Sequence, residues 1–178
     1  HAKAFPTPQI HERTLQKEVQ RLCEIGVLRK CSDSMGNNGE WAAPTFITAK
    51  KKGTMCFVSN FWKLNTLLRR KPFPIPKIQD VLQKLGGFTY ATSLDLNMGY
   101  YTLQLSPKSS EMCTIILPWG KYQYLRLPMG VAGSPDIFQD RISSLMEGIE
   151  SIRAYLDDLL IITKGSYTEH LTEVARVL

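Results

Sequence analysis

The sequence has little that would support a disulfide-bonded, zinc-binding or membrane-spanning protein. It contains four cysteines and three histidines in 178 residues, and no two cysteines form a C-x-x-C pair. This spacing argues against a zinc site and a disulfide framework, and it favours reduced thiols in an intracellular protein. No apolar run reaches the roughly 18 residues of a membrane span, so we expect none.

Internal repeats, low-complexity tracts and a signal peptide are also lacking. The chain begins with His1 rather than Met, so we expect it to be a segment of a longer polypeptide. The composition is that of an ordinary globular protein, with 43% hydrophobic and 21% charged residues. The chain is therefore long enough to bury a sizeable core.

The net charge of +6 is distributed unevenly along the chain. Residues 1–87 contain 15 Lys/Arg and 6 Asp/Glu, which gives +9, whereas residues 88–178 contain 7 and 10, which gives −3. A basic half next to an acidic half predicts one surface for a polyanion and one for cations. An uneven solvated surface is the simpler alternative.

Two adjacent carboxylates, Asp157 and Asp158, lie between apolar, strand-like flanks. This pattern predicts a tight β-hairpin with both side chains at its tip. Like charges so close together repel each other unless a cation lies beside them, and Mg²⁺ prefers carboxylate oxygens. On the dipeptide alone, a solvated turn explains the pattern equally well.

Hydrophobic spacing predicts four helices. The first covers about residues 12–25 and the second runs from Pro76 to Gly87. The third is capped by Ser134 and has an apolar stripe that reaches Ile149, and the last begins with a capping box of Ser166 and Glu169. Strands are predicted near residues 27–28, 41–49, 55–61, 90–96, 102–105, 112–117, 121–126 and 155–163, with a basic hairpin tip at 50–54. This order favours an α+β fold, an antiparallel sheet with helices on one face.

Asp95 ends one predicted strand, 62 positions before Asp157. If the two strands are neighbours, Asp95, Asp157 and Asp158 share one site on rigid elements. Three carboxylates in one place suit a two-metal centre for phosphoryl transfer, in which one ion activates a hydroxyl and the other holds the leaving group.

Several motifs resemble those of reverse transcriptases, in the form found in gypsy-type LTR retrotransposons. They are Y-L-D-D at 155–158, S-L-D-L-N-M-G-Y at 93–100, L-P-M-G-V-A-G-S-P-D-I-F-Q at 127–139, P-F-P-I-P at 72–76 and F-W-K-L-N at 61–65. They follow the family's order and cover about residues 14–178. The resemblance implies the fingers and palm of a right-hand polymerase.

The resemblance implies a basic, fingers-like subdomain at 1–87 with an N-terminal helix, whose fingers continue into about 106–135. A palm-like subdomain with the catalytic carboxylates follows at 88–178. The thumb, connection and RNase H regions of the Pol polyprotein would be absent.

The resemblance also implies roles for individual residues. The catalytic and metal-binding residues would be Asp95, Asp157 and Asp158, with the Leu96 carbonyl as a further ligand. The nucleotide-binding residues would be Lys50, Lys51, Lys52, Met98, Gly99, Tyr100, Met129 and Gly130. The primer and template contacts would be Tyr155, Leu156 and Asn65. Tyr100 would exclude the 2′-hydroxyl of a ribonucleotide; a packed core tyrosine is the alternative.

Three positions depart from the family's R-x-x-x-D-F-R-x-L-N pattern: Cys56, Asn60 and Trp62 replace Arg, Asp and Arg. The first Arg is expected to clamp the triphosphate, and a thiol cannot donate that fork of hydrogen bonds. The other two are expected to form a supporting, buried ion pair.

Two functions follow from this resemblance. One is an RNA-directed DNA polymerase that extends a primer on RNA or DNA with dNTPs and two Mg²⁺ ions, with Mn²⁺ as an alternative. The other is a degenerate copy that keeps the fold and only binds nucleic acid. We expect the protein to be intracellular, either in the cytoplasm, including retrotransposon particles, or in the nucleus. We expect no membrane partner.

Overall fold

The computed structural model describes residues 3–6, 8–31, 41–49, 55–75 and 86–178. The chain divides into two compact units: unit 1 comprises His1–Arg69 and Tyr100–Ser134, and unit 2 comprises Arg70–Gly99 and Pro135–Leu178. The names fingers and palm for particular stretches of the chain stay a proposal.

Unit 1 begins with a helix, α1, over Gln9–Glu24. Its apolar positions repeat with helical spacing, and Leu15, Val19 and Leu22 are at most 3% exposed. The helix ends before Gly26, which has a φ of 70° that suits glycine. The predicted helix is thus confirmed.

The sheet of unit 1 has five strands: β1 (Leu28–Lys30), β2 (Ala43–Ala49), β3 (Met55–Ser59), β5 (Thr114–Leu117) and β6 (Gly120–Tyr124). Their order in the sheet is β1-β6-β5-β2-β3. All neighbours are antiparallel except β2 and β5, which pair in parallel. This sheet is therefore mixed, and the predicted antiparallel sheet is the one in unit 2.

Two short helices of unit 1 were not predicted: α2 (Trp62–Leu67) and α3 (Pro107–Met112). The predicted strand over 102–105 is wrong. A 3₁₀ turn occupies Gly99–Thr102, and only an isolated bridge joins Gln104 to Arg126. The signal for α3 was present, because the Ser106 hydroxyl accepts from the Ser109 N–H and proline follows it.

Unit 2 contains an antiparallel sheet of β4 (Tyr90–Asp95), β7 (Ile152–Tyr155) and β8 (Asp158–Thr163), in the order β4-β8-β7. Leu159 and Ile161 point to its buried face, at 2% and 0% exposed. A helix, α5, over Tyr167–Val177 packs against β8 and β4. Its His170 bonds the hydroxyls of Thr92 and Thr163, at 2.8 and 2.9 Å.

The remaining helix, α4, spans Ser134–Leu145, so the predicted stripe extends too far at Ile149. Ser134 does not cap the helix: it is the first helical residue, and its hydroxyl donates to the Pro128 carbonyl at 2.8 Å. The predicted capping box of Ser166 and Glu169 is confirmed. The predicted helix after Pro76 and the hairpin tip at 50–54 lie outside the described residues.

All four cysteines are free, as expected, and burial raises the pKa of the Cys113 thiol to about 11. In the part of the chain that the structure describes, no helix has both the length and the apolar character needed to cross a bilayer.

Candidate active site

The register of the unit 2 sheet brings two of the predicted carboxylates together. Asp95, the last residue of β4, lies directly opposite Asp158, the first residue of β8. Directly opposed residues of an antiparallel pair point to the same face, with Cβ atoms about 4.5–5.5 Å apart. Both aspartates are exposed, and Tyr155 of β7 is the partner of Asp158 on its other side. Asp95 and Asp158 therefore form an exposed acidic pair at one end of this sheet.

The third carboxylate, Asp157, lies in the two-residue turn between β7 and β8. Its carbonyl accepts from the Leu96 N–H at 2.8 Å, so the turn is tied to the chain just after Asp95. The sequence placed both aspartates at the hairpin tip, whereas Asp158 already belongs to β8. Within the described ranges, no three His, Cys, Asp or Glu side chains are grouped so that they could hold a metal ion. The three-carboxylate metal centre stays a proposal.

Leu156, the other residue of this turn, has a left-handed backbone with a φ of 52°. Such a conformation costs an L-residue roughly 1–2 kcal/mol, so other contacts must hold it. Gln139 of α4 supplies them: its side-chain oxygen accepts from the Leu156 N–H at 2.7 Å, and its amide nitrogen donates to the Ala154 carbonyl at 3.2 Å. Gln139 is 1% exposed. This buried amide thus fixes the turn that presents Asp157.

A second left-handed residue, Met98, follows Asp95 with a φ of 58°. After it, the Gly99 N–H, which is predicted to meet a triphosphate, donates to the Leu96 carbonyl at 2.9 Å. A triphosphate would have to share or replace that bond. A Cβ at Gly99 would lie 2.8 Å from the Phe138 ring, so close packing against α4 requires glycine here. Neither feature was predicted.

Unit 1 contains the other described residues that the resemblance assigns to nucleotide binding. Tyr100 is 8% exposed, which is also what a packed core tyrosine would show. Met129 is 50% exposed, and Gly130 adopts a φ of 93° next to the Ser59 carbonyl. Lys50, Lys51 and Lys52 lie outside the described residues.

Asn65 of α2 holds the loop that contains Gly130. Its amide nitrogen donates to the Gly130 carbonyl at 2.8 Å, and its side-chain oxygen accepts from the Ala132 N–H at 2.8 Å. The sequence predicted Asn65 as a primer or template contact. The structure shows that its side chain orders the loop.

The three departures from the family pattern all lie in unit 1. Cys56 is half-buried in β3, opposite Thr48. Asn60 is exposed, and its side-chain oxygen accepts from the backbone N–H of Trp62, the first residue of α2, at 3.0 Å. Trp62 is 68% exposed. Neither position 60 nor position 62 is buried in this chain.

Sequence reasoning missed Asp136, whose side chain is only 2% exposed. It accepts from Arg70 at 2.6 and 3.1 Å and from the Phe73 N–H at 3.0 Å. The hydrogen bond from Arg70 holds the pKa of this carboxyl below its usual range, and the Phe73 N–H adds to that effect. The only signal was an acidic residue in the first turn of α4. Asp136 thus anchors the segment that begins at Arg70 to α4 within unit 2.

The fold is that of the fingers and palm of a right-hand polymerase. The crystal structure of prototype foamy virus protease-reverse transcriptase matches 99% of this chain with a TM-score of 0.85 at 22% identity, over 23% of that chain. The foamy viral protease-reverse transcriptase in complex with an RNA/DNA hybrid matches 99% of this chain with a TM-score of 0.82 at 20% identity, also over 23% of that chain.

Residues 48–178 match the family described as reverse transcriptase (RNA-dependent DNA polymerase), and the chain belongs to that family. It is 30% identical to the retrovirus-related Pol polyprotein from transposon 297 of Drosophila melanogaster, over 99% of this chain and 17% of the relative. It is also 30% identical to the transposon Tf2-3 polyprotein of Schizosaccharomyces pombe, over 98% of this chain and 13% of the relative. The chain thus spans less than a fifth of the length of these two relatives.

Proposed function

We propose that this chain is the fingers and palm portion of an RNA-directed DNA polymerase, encoded by a gypsy-type LTR retrotransposon. It transfers a nucleotide from a dNTP to the 3′-hydroxyl of a primer. The observation that carries this proposal is the register that sets Asp95 opposite Asp158, with Asp157 in the adjoining turn. An exposed acidic pair on two rigid strands suits divalent cations better than it suits a packed core.

The donor atoms at this end of the sheet are oxygens, which are the ligands that Mg²⁺ and Mn²⁺ prefer. Asp95, Asp157 and Asp158 would hold two ions, with the Leu96 carbonyl as a further ligand. The Leu96 carbonyl already accepts from the Gly99 N–H but has a second lone pair to offer. When bound, the ions neutralise charge on the triphosphate and favour deprotonation of the primer hydroxyl.

Residues of the chain itself are assigned to position the triphosphate, the sugar and the primer end. Gln139 holds the backbone of the turn. The Met98 and Gly99 N–H groups would donate to the incoming triphosphate, the Gly99 N–H by sharing or replacing its bond to the Leu96 carbonyl. Tyr100 is assigned to the selection of the sugar, and Met129 and Gly130 are assigned to nucleotide binding. One of Lys50, Lys51 and Lys52 is assigned to the γ-phosphate, and Tyr155 and Leu156 are assigned to the primer or template.

The partners follow from the relatives. A solved neighbour holds an RNA/DNA hybrid, and we assign an RNA or DNA template with its primer to this chain as well. We assign thumb, connection and RNase H regions to the same longer polyprotein as partners of this chain. The location we assign to that polyprotein is the cytoplasm, retrotransposon particles or the nucleus. A degenerate copy that only binds nucleic acid is not favoured, because all three aspartates are present.

Primer extension on an RNA template with dNTPs and Mg²⁺ tests this function. Asp157→Asn removes one charged ligand while keeping the size of the side chain, and we expect extension to fall by at least about 10²–10³-fold. Asp140→Asn, at an exposed position of α4, is the matched control and should extend normally. Both variants should keep the thermal unfolding midpoint of the unaltered protein. Undiminished extension by folded Asp157→Asn would contradict the proposal.

A further inference from the structure

Trp62 presents its side chain to solvent at the start of α2. It is 68% exposed, although an indole buries more apolar area than almost any other side chain when it packs. We propose that Trp62 is a stacking site for an unpaired base of a single-stranded nucleic acid. This inference rests on the proposed function only in that its ligand is a nucleic acid.

The backbone beneath Trp62 is held in place from both sides. Phe61 and Leu64 are buried, at 1% and 6% exposed, and they anchor α2 in the core of unit 1. Asn60 accepts the Trp62 N–H at 3.0 Å, and Asn65 bonds the loop at Gly130. A base that stacks on Trp62 therefore meets a platform whose backbone is already ordered, so little entropy is lost there on binding.

The net positive charge of unit 1 favours a polyanion as the occupant. Unit 1 contains 14 Lys/Arg and 6 Asp/Glu, a formal charge of +8. Lys63 and Arg69, on and just after the same helix, are both exposed. An aromatic face among cations is the combination that binds single strands, because the cations follow the phosphates while the ring takes a base.

The residue that Trp62 replaces supports the same conclusion. The family pattern has Arg at this position, and a guanidinium and an indole share a flat face that stacks on a base. They differ in that only the guanidinium offers a positive charge to phosphate. A tryptophan at this position therefore keeps a flat face for stacking without the charge.

The test compares binding of two oligonucleotides of about 12 nucleotides at low ionic strength, one of oligo(dT) and one abasic strand of equal charge. Trp62→Ala should weaken binding of oligo(dT) by about 5- to 150-fold, which is the range for one lost stacking contact. Its affinity for the abasic strand should stay within about twofold, since the phosphates are unchanged. Trp62→Phe should keep most of the affinity for oligo(dT).

Leu67→Ala is the matched control, because Leu67 is another large apolar residue of α2 and is 79% exposed. It should leave both affinities unchanged. Tryptophan fluorescence gives a second readout: oligo(dT) should quench the unaltered protein more than Trp62→Phe, which retains Trp41 and Trp119. Equal affinity of Trp62→Ala and the unaltered protein for oligo(dT), or equal losses on both strands, would overturn the inference. So would an unaltered protein that binds both strands alike.

These measurements need neither metal nor dNTP, so they separate the inference from the proposed function. Stacking without primer extension would count against the polymerase alone. Normal extension with an unaffected Trp62→Ala would count against the stacking site alone.

Discussion

Units 1 and 2 hold their predicted functional residues in different ways. In unit 2, strand register and two left-handed residues place the aspartates, and Gln139 bonds the backbone of the turn beside Asp157. In unit 1, Gly130 lies in a loop and not at a strand end, and the Asn65 side chain bonds that loop as Gln139 bonds its turn. The formal charge is +8 in unit 1 against −2 in unit 2.

The two units also differ in how many of their residues depart from the family pattern. The three departures from the family pattern fall in unit 1, at half-buried or exposed positions, whereas the acidic motifs of unit 2 are intact. The departures from the pattern thus lie among side chains of unit 1, whereas in unit 2 the turn beside Asp157 is held through backbone hydrogen bonds.

The comparison predicts its largest effect at Gln139, on the unit 2 side. Gln139→Leu leaves the Leu156 N–H without its acceptor and releases the turn, so primer extension should fall by about 10- to 100-fold. The measurement is steady-state dNTP incorporation, with kcat and KM determined separately. We expect the loss in kcat, because the residue acts on the turn and not on the nucleotide.

Two further variants identify which bond of Gln139 matters. Gln139→Glu keeps an acceptor for the Leu156 N–H but loses the amide donor to the Ala154 carbonyl and buries a carboxyl group, so activity above that of Gln139→Leu would assign the effect to the acceptor. Ser143→Ala removes the Gln139 contact at 3.1 Å that does not involve the turn, and should behave like the unaltered protein. Equal activity of Gln139→Leu and the unaltered protein would remove the distinction between the two units.

A gain of function is expected on the unit 1 side. Cys56→Arg restores a guanidinium in β3, and one charge-assisted hydrogen bond is worth about 1.5–3 kcal/mol. It should therefore raise kcat/KM for dNTP by roughly one to two factors of ten, at ~1.4 kcal/mol per factor. Cys56→Lys is the matched control, because it adds the charge without the fork of donors.

Template affinity should stay the same in both Cys56 variants, because it depends on the wider basic surface. If Cys56→Arg incorporates dNTP no faster than the unaltered protein, the clamp argument fails. The difference between the units would then not lie in this contact.

The smallest effect concerns the buried carboxylate of unit 2. The pKa of Asp136 is lower in the folded state than in the unfolded state. The carboxylate therefore stabilises the fold at pH values above its unfolded pKa of about 3.9, and this stabilisation is lost as the pH falls from there through the folded pKa. Asp136→Asn should lower the thermal midpoint by about 2–4 °C at pH 7, and the gap to the unaltered protein should close at lower pH. Asp140→Asn controls for the loss of an exposed charge. A gap independent of pH would mean that Asp136 acts through packing.

The sequence predicted what local signals encode. The stripe of α1, the capping box at Ser166 and the hairpin after Tyr155 each depend on residues close together in the chain, and all three are found. The short helix α2 carries no comparable signal, because it is held by the burial of Leu64 and the bonds of Asn65 to distant residues.

At the site, the motifs identified the aspartates but not the geometry between them. Met98 and Leu156 adopt left-handed backbone conformations that neither residue type favours. The sequence therefore contains no signal from which these conformations could be predicted. The bond between Arg70 and Asp136 spans 66 positions and depends on tertiary structure alone. The strand ends could thus be predicted, and the contacts that hold the turn could not.

The left-handed backbone at positions 98 and 156 also limits which sequence variants this domain tolerates. Valine or isoleucine would match Met98 or Leu156 in hydropathy, yet a branched Cβ makes this backbone region far less accessible. Glycine would fit the torsion angles but would increase the freedom of the unfolded chain. Among copies of this domain, substitutions at these two positions should therefore follow backbone torsion rather than hydrophobicity.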